Sequence, residues 1–174
     1  TWFGDRATVN VSYSHRDYNT PFDRGTIFDL NTGHAVNVDR KTRFDEPFNV
    51  TDGYSDLAQL NAEYRLNDAW TARFDYSYSQ DHYNDNQARV TAYDSATGDL
   101  TRRVDATHGS TQKMHTTRAD LQGNVVVGGF YNEVLTGIAY ENYDLLRTDM
   151  IRCKNVKGFN IYNPVYGTVG TCST

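Results

Sequence analysis

The feature that most constrains this chain is an uninterrupted polar segment of unusual length. Trp70–Asp94 spans 25 residues without proline or glycine. Strands of globular proteins are about 3 to 10 residues long, whereas this one would reach about 80 Å at about 3.3 Å per residue. A strand of that length is unusual in a compact soluble domain, so the segment favours a large sheet with long projecting hairpins.

The first part of this segment alternates between apolar and polar side chains. The preceding segment Ala58–Leu66 alternates in the same way, and a turn at Asn67–Ala69 places Leu66 opposite Trp70. Because residues i and i+2 share a face, the apolar faces of the two strands coincide, and a slip of one residue would spoil the match. From Ser79 onwards the alternation is lost. The apolar face of the long strand carries Trp70, Ala72, Phe74, Tyr76 and Tyr78.

A second turn extends this register to a third strand. Ser95–Gly98 is a good turn sequence, and it predicts that Asp94 pairs with Asp99 and that Trp70 lies opposite Gly123. On the polar face, opposite charges then meet across the strands, which is mildly favourable. The predicted ladder pairs Arg73 with Asp120 and Asp75 with Arg118, and its members are Glu63, Arg73, Asp75, Arg118 and Asp120.

The remaining chain also indicates strands and long polar connections. We expect a strand at Thr8–Tyr18 and a long polar loop at Asn19–Asp56 with a small hairpin around Asn31–Gly33. A turn at Gly128–Tyr131 then leads into a strand from Glu133 to about Met150, whose faces are both fairly apolar. Loops this long are unusual in compact domains but ordinary on the outer side of a large membrane barrel.

Strand length and composition favour an outer-membrane β-barrel. A transmembrane strand needs about 9 to 11 residues, which Trp70–Tyr78 supplies. The 13 tyrosines suit the interfacial girdles of such barrels, and the net charge of −5 argues against a nucleic-acid partner. A passive porin and a soluble β-rich binding module, such as an adhesin or sugar-binding domain, stay open as alternatives. The soluble module requires Trp70, Phe74, Leu60 and Tyr64 inside a core, whereas the barrel leaves them exposed.

The two cysteines predict a disulfide, and no residue pattern predicts an enzyme. Cys153 and Cys172 flank a segment rich in glycine and asparagine, so we expect an irregular loop closed by a bridge; two free thiols are the alternative. The five histidines are scattered without a metal-ligand spacing, and no nucleophile motif is present. We therefore expect no catalytic residue and no protein metal site.

Four segments resemble TonB-dependent siderophore receptors, and most closely the hydroxamate type that imports ferrichrome or ferrioxamine. The segments are NTPFDRGT (Asn19–Thr26), DEPFN (Asp45–Asn49), AQLNAEYRLN (Ala58–Asn67) and IYNPVYG (Ile161–Gly167). The resemblance implies an all-β fold, with antiparallel strands and long extracellular hairpins and loops, as part of a 22-stranded outer-membrane barrel with a plugged lumen. Residues 1–174 would form several strands of the N-terminal half of the barrel, without the plug.

The resemblance also implies the partners and the ligand contacts. The ligand would be a ferric siderophore that carries its own iron, so no cofactor is required, and the barrel wall would face outer-membrane lipid. The TonB–ExbB–ExbD system would act through the absent plug region, and the loop matching Cys153–Cys172 can serve as a phage or bacteriocin docking site in this family. The candidate ligand contacts are Tyr83, Tyr93, Phe159, Tyr162 and Tyr166.

Overall fold

The computed structural model describes residues 2–3 and 5–172, which form eight β-strands. No helix in this part of the chain is long and apolar enough to cross a membrane. In chain order the strands are β1 (Trp2–Phe3), β2 (Ala7–Pro21), β3 (Val50–Arg65), β4 (Trp70–Asp94), β5 (Asp99–Val127), β6 (Phe130–Leu146), β7 (Ile151–Arg152) and β8 (Val156–Asn160). The predicted all-β antiparallel fold is confirmed.

All eight strands belong to one sheet. The order is β1-β2-β3-β4-β5-β6, so each long strand pairs with its neighbour in the sequence. The 29-residue strand β5 pairs with β6 along Thr111–Val127, and nearer its start it pairs with the short strands β7 and β8. Short turns join β3 to β4, β4 to β5 and β5 to β6, whereas the long connection of residues 22–49 joins β2 to β3.

Hydrogen bonds at the turns agree with the predicted register of the central strands. The Leu66 N–H donates to the Trp70 carbonyl oxygen at 2.9 Å, and the Gly98 N–H donates to the Asp94 carbonyl oxygen at 2.8 Å. The Trp70 ring covers Gly123, where a Cβ would come within 2.2 Å of the ring. The strand Trp70–Asp94 and the pairing of Trp70 with Gly123 are therefore confirmed.

The predicted bounds of β6 were wrong. The strand begins at Phe130 and ends at Leu146 rather than running from Glu133 to about Met150. Gly128 and Gly129 have φ values of 60° and 85°, which a two-residue hairpin turn requires, so pairing starts directly at Phe130. The register also settles the orientation of β6, because Ile138 pairs with Ala119 on the apolar face.

The predicted loop Asn19–Asp56 was too long at both ends. Strand β2 continues to Pro21 and β3 begins at Val50, and the Phe22 N–H still donates to the Asn49 carbonyl oxygen at 2.8 Å. Backbone pairing here continues through polar residues that lack an apolar alternation, so the pattern gave no sign of it. The small hairpin is confirmed by a bridge between Phe28 and Ala35.

The first of two compact units lacks a sandwiched core. It comprises Thr1–Arg16, Tyr54–His82 and Thr111–Leu146. Among its described residues only Gly123 is buried, and the Phe74 side chain is 39% exposed. The soluble-module hypothesis, which places Trp70 and Phe74 inside a core between two sheets, is therefore wrong for this unit.

The second unit contains the buried residues of the loops. It comprises Asp17–Gly53, Tyr83–Ser110 and Arg147–Thr174, and its two apolar clusters form around Ala106 and around Leu100. The predicted disulfide between Cys153 and Cys172 is present, with a Cα–Cα distance of 5.8 Å. The segment between them is not wholly irregular, as we had expected, because β8 pairs with β5 inside it.

Candidate functional site

The charged face of the first unit carries the predicted ladder, but its side chains bond to partners other than the predicted ones. Arg73 Nε lies 3.1 Å from Glu63 Oε2, and Arg118 Nε lies 2.6 Å from Asp120 Oδ2. Asp75 Oδ1 accepts a hydrogen bond from the Asn61 side-chain amide at 2.6 Å. Each of these contacts joins groups on the same face of the sheet, because paired residues and positions two apart point the same way. The charged side chains on this face of the first unit are therefore paired or hydrogen-bonded.

Gly137 makes room for one member of this ladder. It pairs with Asp120, and a Cβ at position 137 would come within 2.1 Å of the Asp120 carboxylate and 2.7 Å of the Ala119 carbonyl oxygen. The Asp120 side chain thus folds across the neighbouring strand at a position that only glycine leaves open. Glycine within a strand often marks such a close approach.

A row of histidine and tyrosine side chains lies on the apolar face of the first unit. The Tyr54 ring stacks with His15 and with His82, at centroid distances of 6.0 and 5.2 Å. Farther along, the Tyr76 hydroxyl lies 2.9 Å from His115 Nδ1. Rings with a polar edge suit the boundary between hydrocarbon and water. The sequence analysis described these histidines as scattered, because only strand pairing aligns them.

A buried ion pair organises the second unit. Arg102 Nη2 lies 2.7 Å from Glu46 Oε1, and the two side chains are 2% and 0% exposed. The other carboxylate oxygen accepts the Gly167 N–H at 2.6 Å, and Arg102 also donates to Thr168 Oγ1 at 3.0 Å. The guanidinium lies 4.0 Å from the centroid of the Phe159 ring. Burying charges is costly unless they are paired and hydrogen-bonded, which is the case here.

This ion pair ties three separate segments together. Arg102 belongs to β5, Glu46 to the connection between β2 and β3, and Gly167 to the loop closed by the disulfide. This pair was not predicted from the sequence, because 56 residues separate its members and nothing in the DEPFN segment that contains Glu46 points to Arg102. The loop is consequently held by a covalent bridge and by buried charge.

Two clefts in the second unit share Tyr93. The first has a volume of about 300 Å³ and is lined by Ile27–Asn31 and Val90–Tyr93. The second has a volume of about 290 Å³, and its lining comprises Ala92–Asp94, Asp99–Thr101, Lys157 and Gly158. Clefts of this size fall at the small end of ligand sites, which are mostly apolar with a few polar groups.

Hydrogen bonds set the ionisation of groups at these clefts. The Asn160 side-chain amide donates to Asp99 Oδ1 at 2.9 Å, and this bond, with a further one from Thr97, holds the pKa of the Asp99 carboxyl below its usual value. Burial and a hydrogen bond to Tyr162 raise the pKa of the Tyr93 hydroxyl. At neutral pH the second cleft therefore has an ionised carboxylate beside a neutral phenol.

Comparisons with known proteins give the family of this fold. No protein-family model matches the chain. Metal-pseudopaline receptor CntO from Pseudomonas aeruginosa UCBPP-PA14 is 30% identical over 149 residues, which are 84% of this chain and 21% of that protein. Its counterpart in strain PAO1 is 29% identical over the same length. The ferric-catecholate import receptor Fiu from E. coli K12 matches with a TM-score of 0.72 at 18% identity, over 97% of this chain and 29% of that chain.

In fold and in sequence the chain is similar to a segment of such a receptor barrel. It spans about a fifth of the length of the curated relatives it matches. The predicted fold and outer-membrane location are thereby confirmed, and the relatives are named as receptors rather than enzymes. None of these relatives is named for a hydroxamate chelator.

Four of the five predicted ligand contacts lie close together. Tyr93 packs against the cluster that contains Phe159, whose ring centroid is 5.6 Å from that of Tyr166. Tyr162 lies near enough to Tyr93 to raise the pKa of its hydroxyl. Tyr162 is 68% exposed, whereas Phe159 is buried against Arg102. Tyr83 is half-buried in β4, ten residues before Tyr93. The role of all five in ligand binding stays a prediction.

The described residues include no cluster that would hold a metal ion. Within residues 2–3 and 5–172, no group of three or more His, Cys, Asp or Glu side chains is suitably placed. It stays a prediction that the chelator carries the metal and that the protein itself needs no cofactor.

Proposed function

We propose that the full-length protein imports a metal complex of a small chelator across the outer membrane. The observation that carries this proposal is the first unit, whose sheet has an exposed apolar face and a charged face without a core between layers. Such a sheet suits a wall between lipid and a water-filled lumen. The similarity to receptors for metal chelates supports the proposal that the barrel transports a metal complex.

The finer elements of the proposal rest on the resemblance in the sequence. The ligand would be a ferric hydroxamate siderophore, contacted by the aromatic residues around Tyr93, and energy would come from TonB–ExbB–ExbD through the plug. The charged ladder around Arg73 would support the wall or contact that plug. A phage or bacteriocin would dock at the loop between Cys153 and Cys172.

Growth under iron limitation tests the proposal. A strain that lacks the receptor is given the full-length gene and is supplied with one metal chelate at a time: ferric hydroxamates, ferric catecholates, and metal-pseudopaline under limitation of its metal. We expect growth on at least one chelate to depend on the gene. If no chelate requires it, transport of metal chelates is wrong.

A second strain separates active import from passive passage. The same gene is expressed in cells without TonB, supplied with the same chelate. We expect uptake to disappear, because a plugged barrel does not conduct its ligand without energy. Undiminished uptake would instead favour the passive porin.

A further inference from the structure

The two clefts at Tyr93 combine apolar walls with exposed apolar side chains at their rim. Leu30 is 97% exposed and Phe28 is 58% exposed, and both line the first cleft. Tyr162 packs against the turn at Gly98, next to the second cleft, and is also largely exposed. Exposed apolar groups that surround a concave surface are typical of binding sites. The hairpin that carries Leu30 is fixed to the neighbouring turn, where the Asn31 side-chain amide donates to Ser95 Oγ at 3.2 Å.

The charged groups that line these clefts are mainly negative. Asp29 lines the first cleft, and Asp94 and Asp99 line the second. Lys157 is the one cation among the described lining residues of the two clefts. Turn hydrogen bonds fix two of these carboxylates: Asp29 Oδ1 accepts the Asn31 N–H at 2.8 Å, and Asp94 Oδ1 accepts the Ala96 N–H at 2.9 Å. The negative charge is therefore held in place around Tyr93.

We propose that the paired clefts at Tyr93 bind the chelate, and that their carboxylates select neutral or cationic metal complexes over polyanionic ones. This inference rests on the proposed function and adds the charge class of the ligand. A hydroxamate group carries one negative charge and a catecholate carries two, so a ferric complex saturated with hydroxamates is neutral whereas one saturated with catecholates is polyanionic. Fixed carboxylates repel the polyanionic catecholate complex and leave the neutral hydroxamate complex unaffected.

Coulomb's law gives the size of the effect. For a polyanionic complex within about one Debye length of a carboxylate, the repulsion in salt water is worth about threefold to tenfold in Kd for each carboxylate. A neutral complex experiences almost none of it. Replacing two carboxylates by amides would therefore strengthen binding of the polyanionic complex by about tenfold or more, without changing binding of the neutral complex beyond about twofold.

The test uses the full-length receptor in outer-membrane vesicles. Binding of a ferric tris-hydroxamate and of a ferric tris-catecholate is measured for the wild type and for the variant Asp29→Asn/Asp94→Asn. Asparagine keeps the side-chain oxygen that accepts the turn N–H, so the local fold is retained. Asp39→Asn is the matched control, because Asp39 Oδ1 accepts the Lys41 N–H at 2.8 Å in the same kind of turn but lines neither cleft.

We expect the wild type to prefer the neutral complex, the double variant to lose that preference, and Asp39→Asn to behave as wild type. Tyr93→Ala should weaken binding of the neutral complex by about tenfold, because Tyr93 lines both clefts and tyrosines at binding sites commonly contribute that much. Tighter wild-type binding of the catecholate, an unchanged preference in the double variant, or intact binding in Tyr93→Ala would each overturn the inference. Failure of both complexes to bind or to support growth would count against the proposed function itself.

Discussion

Removal of Arg102 is expected to loosen the disulfide loop although the bridge stays intact. In Arg102→Met, the Glu46 carboxylate loses its counter-ion and keeps only the hydrogen bond from the Gly167 N–H. Glu46 is fully buried, so water does not replace the lost partner. Leaving one charge of a buried pair without its partner costs about 3 to 5 kcal/mol. We expect that cost to appear as local opening of the segments that the pair joins.

Hydrogen exchange in the full-length receptor measures this opening directly. A loss of about 3 kcal/mol lowers the protection of an amide by about a hundredfold or more, since each 1.4 kcal/mol is a factor of ten. The amide of Gly167 is the most informative, because it donates to Glu46 itself. Amides of the first unit, such as that of Ile138, should keep their protection.

Two further variants test the reasoning. Arg102→Met/Glu46→Gln removes both charges, so it should lose less protection than Arg102→Met alone. Arg73→Met removes a cation from an exposed pair with Glu63 and should cost at most about 1 kcal/mol. Protection of Gly167 that stays within threefold of wild type in Arg102→Met would refute the role assigned to the ion pair.

Three other substitutions give separate tests. Gly123→Ala places a methyl group against the Trp70 ring and should lower stability by about 1 to 3 kcal/mol, measured by thermal unfolding of the purified receptor; an unchanged midpoint would contradict the contact. Cys172→Ser opens a loop with a sequence separation of 19 and should cost about 3 kcal/mol, seen as faster exchange within the loop; unaltered exchange would show that other contacts suffice. The hydrogen bond from Asn160 lowers the pKa of Asp99 in the folded protein. The stabilisation by Asp99 should therefore be complete above the pKa of the unfolded state and lost as the pH falls through the pKa of the folded state. Hydrogen exchange of the β8 amides should show this pH dependence, and Asp99→Asn should abolish it.

The strands of the first unit were largely predictable, and the packing of the loops was not. Alternation over Ala58–Leu66 and Trp70–Tyr78 has a period of two, which maps directly onto the faces of a sheet, so register and polarity followed from local pattern. Strand ends such as Pro21 and Val50 lie in polar sequence that carries no such period, and their bounds were missed.

The sequence by itself determined a long-stranded sheet with one apolar and one charged face, because that pattern depends on spacing along the chain. For the two cysteines it left a bridge and two free thiols open, and the structure shows the bridge. Tertiary structure alone decided the pairing of Arg102 with Glu46, the row of His15, Tyr54 and His82, and the two clefts at Tyr93. Those features join residues that are far apart in the chain, and only the folded backbone sets the distances between them.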